Sequence, residues 1–137
     1  MNYLLDTNHV SPLVTPGHPL RQRVLQQFDE GDHFSVCVPV VTETIFGIGI
    51  LPRAIQNRAE WTRLRPLLPC YVPDENDAIA AAELQISLRL RGWQLETVDA
   101  LIATLAVRYN LTLLTTDRDF RAVPDLLLEN WLRDRYP

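Results

Sequence analysis

The chain contains no lysine, so all 13 of its basic residues are arginine. That absence removes whole classes of chemistry. Walker-type phosphate loops, Schiff-base enzymes and phospho-acceptor receiver domains each need a lysine amine, whereas arginine still grips phosphates through its planar donor fork. Cysteine is scarce as well. Cys37 and Cys70 sit in apolar surroundings, SVCVPV and LLPCYV, without CxxC spacing or a neighbouring histidine; they read as buried small hydrophobes in a reducing compartment. No apolar run approaches the length of a membrane span, and the N-terminal MNYLLDTN is interrupted by Asp6 and has no basic flank, so neither a span nor a signal peptide is expected. The expected protein is cytoplasmic and soluble, with no membrane partner. Its formal charge of −4 lacks the basic excess of a typical nucleic-acid-binding surface.

What is present is enough for one core. A length of 137 residues at 47% hydrophobic content predicts a single α/β or α+β domain spanning 1–137. The prolines fall at element boundaries rather than between domains. Tyr3 to Leu5 reads as a buried first strand and Leu20 to Phe28 as a helix with Leu20, Val24, Leu25 and Phe28 on one face. Phe34 to Val38 is a second strand, followed by a helix from Val40 to Leu51 behind Pro39. Ala54 to Leu64 predicts an outward-facing helix. Asp74 to Arg91 predicts a long one, with Ile79, Ala82, Ile86 and Leu90 at helical spacing and Gly92 as its stop. Thr97 caps a helix running to about Tyr109, Leu111 to Leu114 is a third strand, Asp117 to Phe120 a turn or short helix, and Asp125 to Leu128 an edge strand. Strands separated by helices imply a mostly parallel central sheet flanked by helices.

Four acids stand at the ends of apolar elements: Asp6 after the first strand, Glu43 early in the helix after the second, Asp99 at the start of its helix, and Asp117 after the third strand. In an open parallel sheet such positions converge beyond the carboxyl ends of the strands. Each has a structural alternative. Asp6 could cap a helix near His9, Asp99 could complement a helix dipole, and Asp117 with Asp119 could form a turn. Glu43 is harder to explain that way, because Val40, Val41, Ile45, Phe46 and Ile48 make its helix strongly apolar. Two carboxylates brought to about 4 Å repel by about 4 kcal/mol at an effective dielectric near 20, so a cluster calls for a cation. Oxygen ligands point to Mg²⁺ or Mn²⁺ rather than zinc, since His9, His18 and His33 lack paired ligand spacing. Such an ion activates water and stabilises phosphoryl charge, which implies phosphodiester or phosphomonoester hydrolysis. Asp119 is a candidate for a second ion or a held water, and Thr7, Asn8, Thr115 and Thr116 are candidate donors that orient the carboxylates.

In order and spacing, LLDTN, VVTETIFGI, TVDALIATLA and LLTTDRDF resemble the motifs of the PIN-domain nucleases, in particular the VapC-type toxins of bacterial toxin–antitoxin pairs. The resemblance spans essentially the whole chain, with Asp6, Glu43, Asp99 and Asp117 matching the four acids of the family. It implies a PIN-like three-layer sandwich and a Mg²⁺- or Mn²⁺-dependent endoribonuclease that cuts structured RNA such as tRNA or rRNA and halts translation. It also implies a homodimer and a small VapB-type antitoxin that blocks the site. The stretch from Pro66 to Asp77 carries no matching motif.

Arg118 and Arg121 flank the fourth acid and are candidate RNA-phosphate contacts, and Arg53, Arg58, Arg63 and Arg65 could form a basic ridge or simply a solvated helix face. Trp61, Trp93 and Trp131 are candidates for core or dimer contacts, or for base stacking. A phosphatase of the haloacid-dehalogenase kind fits poorly, because Asn8 stands where that family has its second Asp and no lysine exists. The remaining alternative is a catalytically silent PIN-like module that binds RNA or protein.

Overall fold

Residues 1–132 are described in the computed structural model of the chain, so the last part of the 1–137 domain assignment lies outside the described residues. Strand β1 (Asn2–Leu5) buries Tyr3, Leu4 and Leu5 in succession, the unbroken apolar run expected of a parallel strand covered on both faces. Short helix α1 (Thr7–Val10) follows, continued by a 3-10 turn at Ser11–Val14. Helix α2 (Pro19–Asp29) starts on a proline, with the His18 ring accepting the Leu20 N–H at 3.1 Å. Strand β2 (His33–Cys37) leads into α3 (Val38–Gly49), which has proline in its first turn, and then into α4 (Ala54–Leu64). Strand β3 (Cys70–Tyr71), α5 (Glu75–Leu90), α6 (Thr97–Arg108), β4 (Thr112–Leu114), a 3-10 turn at Arg118–Ala122 and β5 (Leu127–Glu129) complete the order.

All five strands are parallel, in the spatial order β3-β2-β1-β4-β5. The chain winds outward from β1 through β2 to β3, then crosses back and winds the other way through β4 to β5. The direction of winding therefore reverses between β1 and β4, and a crevice opens at their carboxyl ends. Helix α3 leaves the carboxyl end of β2, and α6 runs antiparallel to β4, so both helices turn their first residues toward that crevice. No helix among the described residues is long and apolar enough to cross a membrane.

The expected sheet and its flanking helices are present, and several local expectations change. Val38 belongs to α3 rather than to β2. Glu96 occupies the position before α6, and Thr97 is its first helical residue, accepting from Gln85 Nε2 at 3.2 Å. Asp125 takes a left-handed conformation, φ 63°, so the edge strand begins only at Leu127. Strand β3, within the stretch that carried no motif, has two residues, too short for any periodicity to register. Trp61 and Leu64 turn α4 inward, and Cys70 is half-buried where Cys37 is fully buried.

Helix α5 rotates most from its expectation. Ile79, Ala82, Ile86 and Leu90 face outward, and the helix packs on α6 through Ala81 and Leu88 with buried Asp77. Asp77 sets that face: it completes a capping box with Asp74, and Arg108 of α6 donates to both its oxygens at 2.8 Å. A buried carboxylate needs its partner, and the partner lies on α6. Gly92, φ 79°, ends the helix as expected. Leu88→Ala should therefore cost about 3 kcal/mol in urea unfolding, the usual range for a buried Leu, and Leu90→Ala less than about 0.5 kcal/mol, as for an ordinary surface site. The reverse order would contradict this rotation.

Candidate active site

Asp6 is the innermost of the candidate acids, 6% exposed at the end of β1. The β1–β4 register pairs Leu5 with Leu114, and the Asp6 N–H donates to the Leu114 carbonyl. That pairing brings the segment after β4 against the carboxylate. Asp6 Oδ1 accepts the Thr7 N–H at 2.8 Å, and Oδ2 accepts the Thr115 hydroxyl at 2.7 Å and Asn8 Nδ2 at 3.3 Å. Thr115 Oγ1 in turn accepts from the Asp117 N–H at 3.0 Å and from Asn8 Nδ2 at 3.3 Å. Asn8 Oδ1 accepts the Thr116 N–H at 3.1 Å. Burial raises the Asp6 pKa, the Thr115, Thr7 and Asn8 hydrogen bonds pull it down, and the charge of Asp117 pushes it up.

Asp99 lies half-buried in the first turn of α6, and its carboxyl has no hydrogen-bond partner among the described residues. Its pKa is pushed up to about 7, first by burial and then by Asp6, Asp117, Glu43 and Glu96. The four candidate acids thus act on one another across the crevice. Glu43 differs from the sequence expectation: it is exposed, and Thr44 is the buried residue of that turn of α3. The apolar character of α3 therefore does not account for Glu43, which instead faces the crevice and accepts from the Thr7 hydroxyl at 3.4 Å. Asp117 caps the following 3-10 turn, its Oδ1 accepting the Asp119 N–H at 2.8 Å. Asp119 is exposed at the rim and its carboxylate has no partner among the described residues; its carbonyl accepts from Trp93 Nε1 at 3.0 Å.

The donor set, carboxylate oxygens, is of the kind that suits a hard cation, and burial together with the neighbouring acids raises the pKa of Asp99. Among the described residues no three acidic, histidine or cysteine side chains stand close enough together to hold a metal ion.

Beside Asp117 a groove of about 390 Å³ is lined by Thr115, Thr116, Arg118, Arg121, Leu128 and Glu129 among others. Arg118 and Arg121 are exposed and make no ion pair among the described residues. The supposed basic ridge on α4 is broken up. Arg63 pairs with Glu60, and Arg65 donates to the Leu68 carbonyl. Trp61 and Trp131 are buried, and Trp93 is partly exposed. Sequence reasoning passed over His9, fully buried behind Asn8; the only signal was a polar residue set between the Asp-Thr-Asn string and an apolar run.

The fold and this acidic crevice define a PIN domain: that family matches residues 3–126, and the chain belongs to it. At the level of single proteins, it is 25% identical to ribonuclease VapC2 of Rickettsia felis over 96% of this chain and 98% of that one. It superposes on a chain of the promoter-DNA-bound VapBC2 structure from R. felis with a TM-score of 0.82 at 24% identity, covering 96% and 99% of the two chains. A chain of the FitAcB structure from Neisseria gonorrhoeae matches with a TM-score of 0.75 at 26% identity, covering 95% and 97%.

A raised folded pKa has a definite consequence for Asp99. Its stabilising effect is complete below the unfolded value of 3.8 and is lost as pH rises through about 7. In metal-free protein, Asp99→Asn should accordingly raise stability at pH 8 more than at pH 5, by roughly 1–2 kcal/mol after discounting for partial exposure. A divalent salt should erase the gain. Equal effects at both pH values, read by urea unfolding, would mean that the acids do not share one field.

Proposed function

We propose that this PIN domain is a divalent-metal-dependent endoribonuclease, the toxin of a VapC-type toxin–antitoxin pair, acting in the cytoplasm on structured RNA such as tRNA or rRNA and so halting translation. The observation that carries the reading is the contrast between two acids. Asp6 is locked by three donors, whereas Asp99 has no partner among the described residues and its pKa is driven to about 7, first by burial and then by the carboxylates around it. That is the electrostatic signature of a site completed by a cation. The likeness to a ribonuclease VapC2 supports the same reading.

In this reading Asp6, Glu43, Asp99 and Asp117 hold Mg²⁺ or Mn²⁺, and Asp119 serves a second ion or a held water. The bound ion supplies an activated water and stabilises charge on the phosphoryl oxygens. The chain itself does the orienting. Thr7, Asn8 and Thr115 aim the Asp6 carboxylate, and the Thr116 N–H steadies Asn8. Asp99, ionised, would be one of the oxygen donors that hold the ion. Arg118 and Arg121, without ion-pair partners among the described residues, grip RNA phosphates along the groove beside Asp117.

Two exposed apolar surfaces fit the proposed partners. On α3 and its cap, Phe46 and Ile50 follow Glu43 at helical spacing, and Ile55 of α4 lines a pocket with Ile45 and Ile48, with Phe46, Ile50 and Ile55 exposed; a VapB-type antitoxin would lay an apolar segment there and put a basic or aromatic side chain among the acids. The outward stripe Ile79, Ile86 and Leu90 on α5 would meet a second copy in a homodimer.

The direct test is incubation of antitoxin-free protein with total cellular RNA in Mg²⁺, in Mn²⁺ and in EDTA. Discrete fragments should appear only with metal, and Asp6→Asn or Asp99→Asn should slow cleavage by about 100-fold or more, the scale of a lost metal ligand or its support. Folded protein that binds RNA or Mn²⁺ without cutting would establish the silent binding module instead.

The arginines make a separate prediction. Replacing both Arg118 and Arg121 by Ala should raise KM about tenfold with kcat nearly unchanged and flatten the salt dependence of RNA binding. A fall in kcat alone would place them in the chemical step.

A further inference from the structure

His9 has no exposed surface, and both its ring nitrogens are engaged. Nε2 accepts the backbone N–H of Trp131 at 3.1 Å. A peptide N–H only donates, so Nε2 carries no proton, and the proton of the neutral ring sits on Nδ1. Nδ1 lies 2.7 Å from Asn8 Oδ1 and donates to it. The Asn8 oxygen thus receives two donors, His9 Nδ1–H and the Thr116 N–H. Its Nδ2 is thereby turned to Asp6 Oδ2 and Thr115 Oγ1, each at 3.3 Å. The flipped amide would set N–H against N–H and an oxygen against the Asp6 carboxylate.

The far end of this relay is packed into the core. Trp131 packs edge-on against Tyr3 and Phe34, with ring centroids 5.0 and 5.7 Å away, and the Arg23 guanidinium lies 3.9 Å over its ring. Tyr3 is on β1, the strand that ends at Asp6. Trp131 also lies beyond residue 126, where the family match stops.

We propose that His9 is a positioning residue: the Trp131 N–H sets its tautomer, and its Nδ1–H, through Asn8, holds the Asp6 carboxylate in the orientation that meets the divalent ion. This rests on the nuclease reading. Burial, and secondarily Arg23, hold the His9 pKa down to about 4, which keeps the relay in its neutral form at physiological pH.

Two substitutions separate the halves of the relay. His9→Asn keeps a donor at the Nδ1 position and loses the acceptor for Trp131; His9→Gln keeps the acceptor and loses the donor to Asn8. The Mn²⁺ dissociation constant, measured by water-proton relaxation without any RNA, should stay within about threefold of the unsubstituted protein in His9→Asn. In His9→Gln it should weaken by about tenfold, at the low end of what a partner behind a metal ligand contributes. Cleavage by His9→Gln should fall in kcat rather than rise in KM. Losses that follow melting temperature alone, or no change in Mn²⁺ affinity, would overturn the proposal.

Should either variant fail to fold, nitrogen NMR of the unsubstituted protein decides. His9 should be the Nδ1–H tautomer, and its Nδ1–H resonance should shift as Mg²⁺ saturates the site. An Nε2–H tautomer, or a resonance that does not move while the Thr7 amide does, would overturn it. Absence of any metal binding would sink the nuclease reading itself, and this proposal with it.

Discussion

A carboxylate closed off from water at the end of a parallel strand is tolerable only where donors converge on it. Asp6 finds them in two parts of the chain that are remote in sequence. Thr7 and Asn8 come from its own short helix, and Thr115 comes from the far side of the β1–β4 pairing. The register that sets Leu5 against Leu114 is therefore a condition of the site as well as of the sheet. A slip of one residue in β4 would turn Thr115 to the opposite face.

Around that anchor the other acids come from elements with a common reason to point the same way. Helices that leave or precede parallel strands present their first turns to the carboxyl edge of the sheet, where the positive ends of their dipoles favour acidic side chains. Asp99 occupies such a turn, and Glu43 lies one turn further along α3. The reversal of winding beside β1 leaves the crevice open above them. Burial first, and then the charges of Asp6, Asp117 and Glu43, raise the pKa of Asp99, which among the described residues lacks the donors that Asp6 has.

The arginines divide by the same logic. Arg21, Arg63 and Arg108 meet acids inside the chain, and Arg23 stacks on Trp131. Among the described residues Arg118 and Arg121 do not, and they border the acidic crevice. A net negative chain can thus still offer cationic contacts where an RNA strand would pass, since local placement outweighs total charge at contact distance.

The acid quartet, the strand–helix alternation and the family resemblance were legible in the residues, because each depends on short-range order: an apolar run ended by an acid, or a motif of fixed spacing. The buried face of α5 was not, since Asp77 could be read as internal only once Arg108 of another helix was beside it. Nor was the exposure of Glu43, which apolar neighbours in sequence had made look buried. The two-residue β3 lay below any periodic signal. By itself the sequence determined which elements form and which acids end them; the tertiary structure alone decided which side chains meet. His9 needed Trp131, and Asp6 needed Thr115, because a hydrogen bond is satisfied by proximity in space, which the order of residues along the chain does not specify.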